Sequence, residues 1–262
     1  MNDVHSFLAP PPLSPLFQSE GVLEYFNEDV AETLLVMAIL LGVDNLFVKR
    51  FIVPKVRYFF LHVLINIMSL VCAWPDVWRA LSQDPRNCFS GSSHTMWANS
   101  AISALHVYHI VAFPLRFEDI MHHVIFVCTL CGLAIPYKHV GGIANNFGCF
   151  FLSGLPGAIN YMLLVLVAHK KIDKKSEKKW CAVVNVWLRG PFMSVYGYIG
   201  WLSMYNGDRR DAPFAVALVV TVLHFVNGQY YAQQSVESYS KYMFSETQLA
   251  RETKNDVNAK TS

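Results

Sequence analysis

Charge is scarce in this chain. Of 262 residues only 15% are Asp, Glu, Lys or Arg, against roughly 25% in soluble domains, while 53% are hydrophobic and the mean hydropathy is +0.30. That balance argues against a water-solvated globule and for a bilayer. Net charge is nearly absent too: 21 Lys+Arg against 19 Asp+Glu leave +2, too little for the electrostatic footprint of a nucleic-acid binder. Of the six cysteines, Cys72, Cys128, Cys131, Cys149 and Cys181 fall within or beside apolar runs and only Cys88 does not, so a disulfide framework is not expected. Cys128-x-x-Cys131 lacks a second pair and reads as packing, since a free Cys behaves as a small buried hydrophobe. No Asn-x-Ser/Thr acceptor occurs, and no basic start leads into a short apolar signal core. Residues 1–28, with Pro10, Pro11, Pro12 and Pro15, read as a flexible leader.

What is present is long apolar stretches. A hydrocarbon layer needs about 20 apolar residues per helix, and the sequence predicts seven such spans, near 30–48, 57–75, 96–114, 121–137, 143–168, 181–205 and 212–232. The fold class is thus an all-α, polytopic membrane bundle or barrel occupying 29–232, followed by a polar, surface or disordered tail over 233–262. Loops rich in Lys and Arg stay cytosolic. With seven spans, fifteen fall on one side (Lys49, Arg50, Lys55, Arg57, Arg116, the six lysines of 170–179 and four in the tail) and five on the other. This predicts an outside or lumenal N-terminus and a cytosolic C-terminus.

Polar side chains at membrane depth are costly and usually turn toward a bundle interior. Here they recur at helical spacing: His62 with Asn66, His106 with His109, Asp119 with His122 and His123, Asn185 with Arg189, His224 with Asn227, each pair on one helix face. Asp44, Asn45 and Asn160 are candidates for the same interior. Such groups also serve as plain helix–helix glue, at about 0.6 kcal/mol each and up to ~2. Arg189, effectively never deprotonated, must meet a carboxylate, a carbonyl or water. Asp44 and Asp119 are the acids within reach of an ion pair, and a lipid phosphate is the other partner it could take. Pro191 should kink or restart the sixth span, and Ser153-Gly154-Leu155-Pro156-Gly157 the fifth, with Ser153 and Gly157 letting a neighbour approach closely.

The stretch from His106 to Arg189 resembles the core of the TLC domain, the lipid-associated membrane module of ceramide synthases and translocating-chain-associating proteins. Arg116-Phe117-Glu118-Asp119 precedes His122-His123 as that family's acidic residue precedes its paired histidines. A helix-breaking stretch, Leu152 to Asn160, stands in the place of its second motif, and Asn185-Val186-Trp187-Leu188-Arg189 matches its asparagine-to-arginine step. About half the chain is covered. The acids of the second motif are missing, which removes a partner that general-base chemistry relies on. The resemblance therefore implies a protein that binds, senses or handles a membrane lipid in the endoplasmic reticulum or another internal membrane, with His106, His109, Asn160, Asn185 and Arg189 as binding residues. If it were an enzyme, an acyltransferase taking acyl-CoA as substrate, His122, His123 and Asp119 would be catalytic.

Other classes fit less well. Leu105-His106-Val107-Tyr108-His109 is similar to the histidine box of fatty-acid elongases, but Ile110 stands where another histidine follows in that family. No cofactor and no metal site are expected, since a di-iron centre needs more histidines at regular spacing. A retinal protein needs a lysine in its last span, and 212–232 has none. A transporter built of repeats should show internal similarity, which is not evident, so a receptor or transporter rests on span count. Nucleic acid is excluded as a partner, and nothing in the residues names a protein partner.

Overall fold

Seven helical rods follow one another through residues 20–82, 95–131, 138–206 and 214–261, the portions described by the computed structural model; no strand occurs among them. Helix α1 starts at Glu20 and runs through a π turn, Asp44–Val48, to Phe51. Ile52 and Val53 are extended because Pro54 disfavours helical backbone before it. Helix α2 is Arg57–Ser82 and α3 is Trp97–Ala112. Helix α4 is Phe117–His122 continued by a π stretch, His123–Cys131. Helix α5 joins Lys138–Gly148 and Leu155–Ala168 through a π turn. Helix α6 joins Lys174–Val184 and Gly190–Asn206 through another, and α7 is Phe214–Thr261.

Four stretches, Glu28–Phe51, Pro54–Ser82, Ile143–Ala168 and Phe214–Glu252, are long and apolar enough to cross a membrane, which is compatible with an integral membrane protein. Of the seven such spans expected from the sequence, these four are found among the described residues. Helix α3 has 16 residues, short of the ~20 a hydrocarbon layer requires. In α6 the lysines of the first turns, Asn185 and Arg189 dilute the apolar character. The span expected at 121–137 extends over residues 132–137, outside the described portions, as does the leader as far as residue 19. The polar tail, expected to be disordered or to lie on the surface, is helical to Thr261. Pairs four apart, Gln233 with Glu237, Glu237 with Lys241, and Tyr242 with Glu246, support it, as does Lys175 of α6 at 3.5 Å from Glu246.

Packing neighbours trace a closed ring, α3–α2–α5–α6–α7–α4 and back to α3, with α1 laid outside against α3 and α2. Apolar side chains fill the α1–α3–α2 seam, among them Val36, Leu40, Leu61, Ala101, Ala104 and Leu105. A second apolar cluster joins α2, α5 and α6 through Val77, Phe147, Phe151, Met193 and Tyr196. Many large apolar side chains face outward, such as Leu34, Ile39, Val71, Trp78, Val111 and Trp187. Polar ones are buried instead: along α2, His62, Asn66, Ser69 and Asp76 all lie inside, so the expected inward polar stripe is present.

The fully buried Asp44 carboxylate is the polar pin between α1 and the ring. It lies 3.1 Å from Arg57 Nε and accepts a hydrogen bond from Tyr108 Oη at 2.6 Å, while Arg57 also covers the Phe113 ring at 4.4 Å. Asn45, its neighbour, points outward and donates to the Leu41 carbonyl at 2.7 Å, so only one of these two residues joins the interior. Replacing Asp44→Ala leaves Arg57 without its counter-charge. The expected outcome is a loss of about 3 kcal/mol, read as a lowered unfolding midpoint of the detergent-solubilised protein; an unchanged midpoint contradicts the pin.

Candidate functional site

The six ring helices line a half-open cavity of about 270 Å³, larger than the ~150 Å³ cavity that admits a benzene ring and close to the lower bound, about 300 Å³, of small-molecule sites. Each ring helix contributes lining: His62 and Asn66 from α2, Asn99, Ile102 and His106 from α3, His122 and Val127 from α4, a face of α5 from Asn145 to Leu164, Arg189 from α6, and His224, Asn227 and Tyr231 from α7. Helix α1 contributes none. Glycines set the approach of the walls. A Cβ on Gly157 would fall within 3 Å of the Asn66 amide, and one on Gly148 within 3 Å of the His224 imidazole.

Five imidazoles form a continuous chain beside this cavity. Ring centroids are 6.0 Å apart for His62–His106, 5.4 Å for His106–His122, 5.0 Å for His106–His123 and 5.2 Å for His109–His123. Tyr58 stacks on His109 at 3.7 Å and meets His62 edge-on at 4.1 Å. His62 Nδ1 lies 3.2 Å from the Tyr58 carbonyl and His224 Nδ1 2.8 Å from that of Val220. A carbonyl only accepts, so each Nδ1 carries a proton. Among the described residues no group of three or more His, Cys, Asp or Glu is placed to hold a metal ion.

The residues singled out by sequence fall in four places. His106, His122, Asn160 and Arg189 line the cavity. His109 and His123 belong to the imidazole chain just outside the lining. Asp119 sits at the start of α4, where its carboxylate accepts from Arg116 N at 3.0 Å, Nε at 3.0 Å and Nη2 at 3.1 Å, and not from an imidazole. These bonds hold the Asp119 carboxyl below the ordinary carboxylate range. Because the folded value is the depressed one, the stabilisation is present above that range and is lost as pH falls through the folded value. It is small, since Arg116 is largely exposed. Asn185 lies behind the wall and donates to the Cys181 carbonyl at 2.7 Å.

Arg189 pairs with neither of the acids proposed for it. Asp44 is held by Arg57 and Asp119 by Arg116. The guanidinium instead covers the Tyr231 ring at 4.8 Å; it is buried, and its Nε has no hydrogen-bond partner. Sequence reading missed Tyr231, although it stands seven residues after His224 and four after Asn227, on the same helix face. It also missed Tyr58, Tyr161 and Asp76. Asp76 lies fully buried just past the expected end of the second span, where Asn146 Nδ2 donates to it at 2.7 Å and Arg79 lies at 2.9 Å.

Comparison with protein-family models, with curated proteins and with solved structures finds no match in any of the three. Function rests on the geometry.

One substitution tests the wall directly. The His224 ring, bonded to Val220 and stacked on Tyr196 at 4.3 Å, is held where a Cβ on Gly148 would fall. Gly148→Ala is expected to cost about 1–3 kcal/mol, and adding His224→Ala to recover most of that loss in a double-mutant cycle. Strictly additive effects on thermal unfolding contradict the contact.

Proposed function

We propose that this is a TLC-like, lipid-handling membrane protein that houses an acyl chain in the slot lined by its six-helix ring. The shape of the cavity carries this reading. Its lining on α5 runs from Asn145 to Leu164, about 28 Å at the helical rise of 1.5 Å per residue, yet its volume is only about 270 Å³. A lining with that reach suits an extended hydrocarbon chain more than a compact solute.

Polarity along the slot supports an amphiphile. Ile102, Leu105, Val127, Leu130, Leu152 and Leu164 supply apolar wall. His62, His106 and His122 lie within about two turns of the ring end where α2 and α4 begin and α3 finishes. Lys49, Arg50, Lys55, Arg116 and the 170–179 lysines belong to this same end, which the positive-inside rule assigns to the cytosol. In this reading the N-terminus lies on the lumenal side, and residence in an endomembrane such as the endoplasmic reticulum follows the resemblance of the His106–Arg189 stretch to TLC domains.

Acyl transfer is the second reading, and the packing of His106, His122 and His123 favours it. Asp119, however, gives its carboxylate to Arg116, and an imidazole base with no carboxylate to orient it is a weaker catalyst. Holding a lipid requires no such partner.

Mass spectrometry of the purified chain is expected to reveal a co-purified lipid above a mock-purified control, and Ile102→Trp, which fills the slot, to remove it while the protein still unfolds cooperatively. Absence of lipid from the unmodified protein sinks the reading. For orientation, an Asn-x-Thr acceptor engineered before Glu20 is expected to be glycosylated and one in the 170–179 loop to stay unmodified; the opposite pattern reverses the topology.

A further inference from the structure

Resting on the lipid-chamber reading, we propose that the occupant carries an anionic oxygen head group, a fatty carboxylate or a phosphate monoester, and that Arg189 is its counter-ion. Arg189 belongs to the cavity lining and is only 6% exposed. A guanidinium kept that far from water requires opposite charge or a set of acceptors. Neither is present from the described residues. Acids of the helices are engaged elsewhere, the buried Asp44 with Arg57, the half-buried Asp119 with Arg116, and the buried Asp76 and Glu177 with Arg79 and Lys178. No ion pair reaches Arg189, and its Nε makes no hydrogen bond.

What does hold Arg189 is the Tyr231 ring, 4.8 Å from the guanidinium carbon. Such a contact fixes the plane of the group without consuming its N–H donors, and the planar fork matches the two oxygens of a carboxylate or phosphate. Asn66, on the same cavity wall system, has a buried Nδ2 with no acceptor. Both are donors awaiting an acceptor oxygen. An amphiphile with a neutral head would occupy the slot while leaving the cation uncompensated.

The test uses the full-length protein in detergent and three probes that share one oleoyl chain: oleate, 1-oleoyl lysophosphatidate and 1-monooleoylglycerol, at a pH where the carboxylate is ionised. Affinities come from displacement of a radiolabelled oleoyl probe. At least one of the two anions is expected to bind about tenfold more tightly than the neutral glyceride, and which one it is separates the carboxylate source from the phosphate source. Arg189→Gln is expected to abolish the preference while leaving glyceride binding in place, and Arg189→Lys to restore part of it. Should Arg189→Gln not fold, Tyr231→Leu, which removes the ring seat, is expected to weaken the preference in the same direction. Equal binding of all three probes to the unmodified protein, or an intact preference in Arg189→Gln, overturns the charge assignment and leaves the chamber standing. Failure of every probe to bind removes the chamber itself.

Discussion

A bilayer interior supplies no hydrogen bonds, so each polar side chain that enters it must find its partner within the protein or face a space that holds one. The molecule is arranged as this constraint would have it. The outside of the ring is clad in leucine, isoleucine, valine and tryptophan, and the inside is populated by histidine, asparagine and one arginine. Two carboxylates obey the rule by closing local networks. Asp44 draws Arg57 and Tyr108 together and pins the outer helix to the ring. Asp76 draws Arg79 and Asn146 together and ties α2 to α5. The cavity is where the rule is obeyed differently, by leaving polar groups facing a hollow.

Much of this interior could be read from spacing. His62 and Asn66, Asn185 and Arg189, and His224 and Asn227 were each expected to share a face, and all six are buried. Extending the same periodicity would have added Ser69 and Asp76 on α2 and Tyr231 on α7. The closed order of the ring and the exclusion of α1 from the cavity were not legible, because periodicity says which face is inward and not which neighbour it meets. Asn45 illustrates the limit: it adjoins Asp44 in sequence, and successive positions on a helix point about 100° apart, so one is inside and the other faces out.

The prolines show a similar division. A kink or restart was expected at Pro191 and at Ser153–Gly157, and α5 and α6 run on through both with a local change of helical pitch. In each case a π turn, Cys149–Gly154 or Asn185–Arg189, lies immediately before the proline. Residues 152 and 187, the carbonyls a proline four positions later cannot bond, fall inside those wider turns, where the ordinary ladder is already relaxed. The same turns place Ser153 and Arg189 on the cavity wall. After α5 the chain reverses at Lys170, whose φ of 55° closes the helix with bonds from Lys170 N to the Val167 carbonyl at 2.9 Å and from Lys171 N to that of Leu166 at 2.8 Å, a helix stop that usually uses glycine.

Helix α7 has no joint between Phe214 and Thr261. Its inner portion carries Tyr231 against Arg189, and fifteen residues on, about 22 Å along the axis, Glu246 meets Lys175 at the root of α6. The polar stretch beyond Tyr231 is therefore carried as the continuation of a rod that lines the cavity, laid alongside the base of α6, and not as a separate piece of chain.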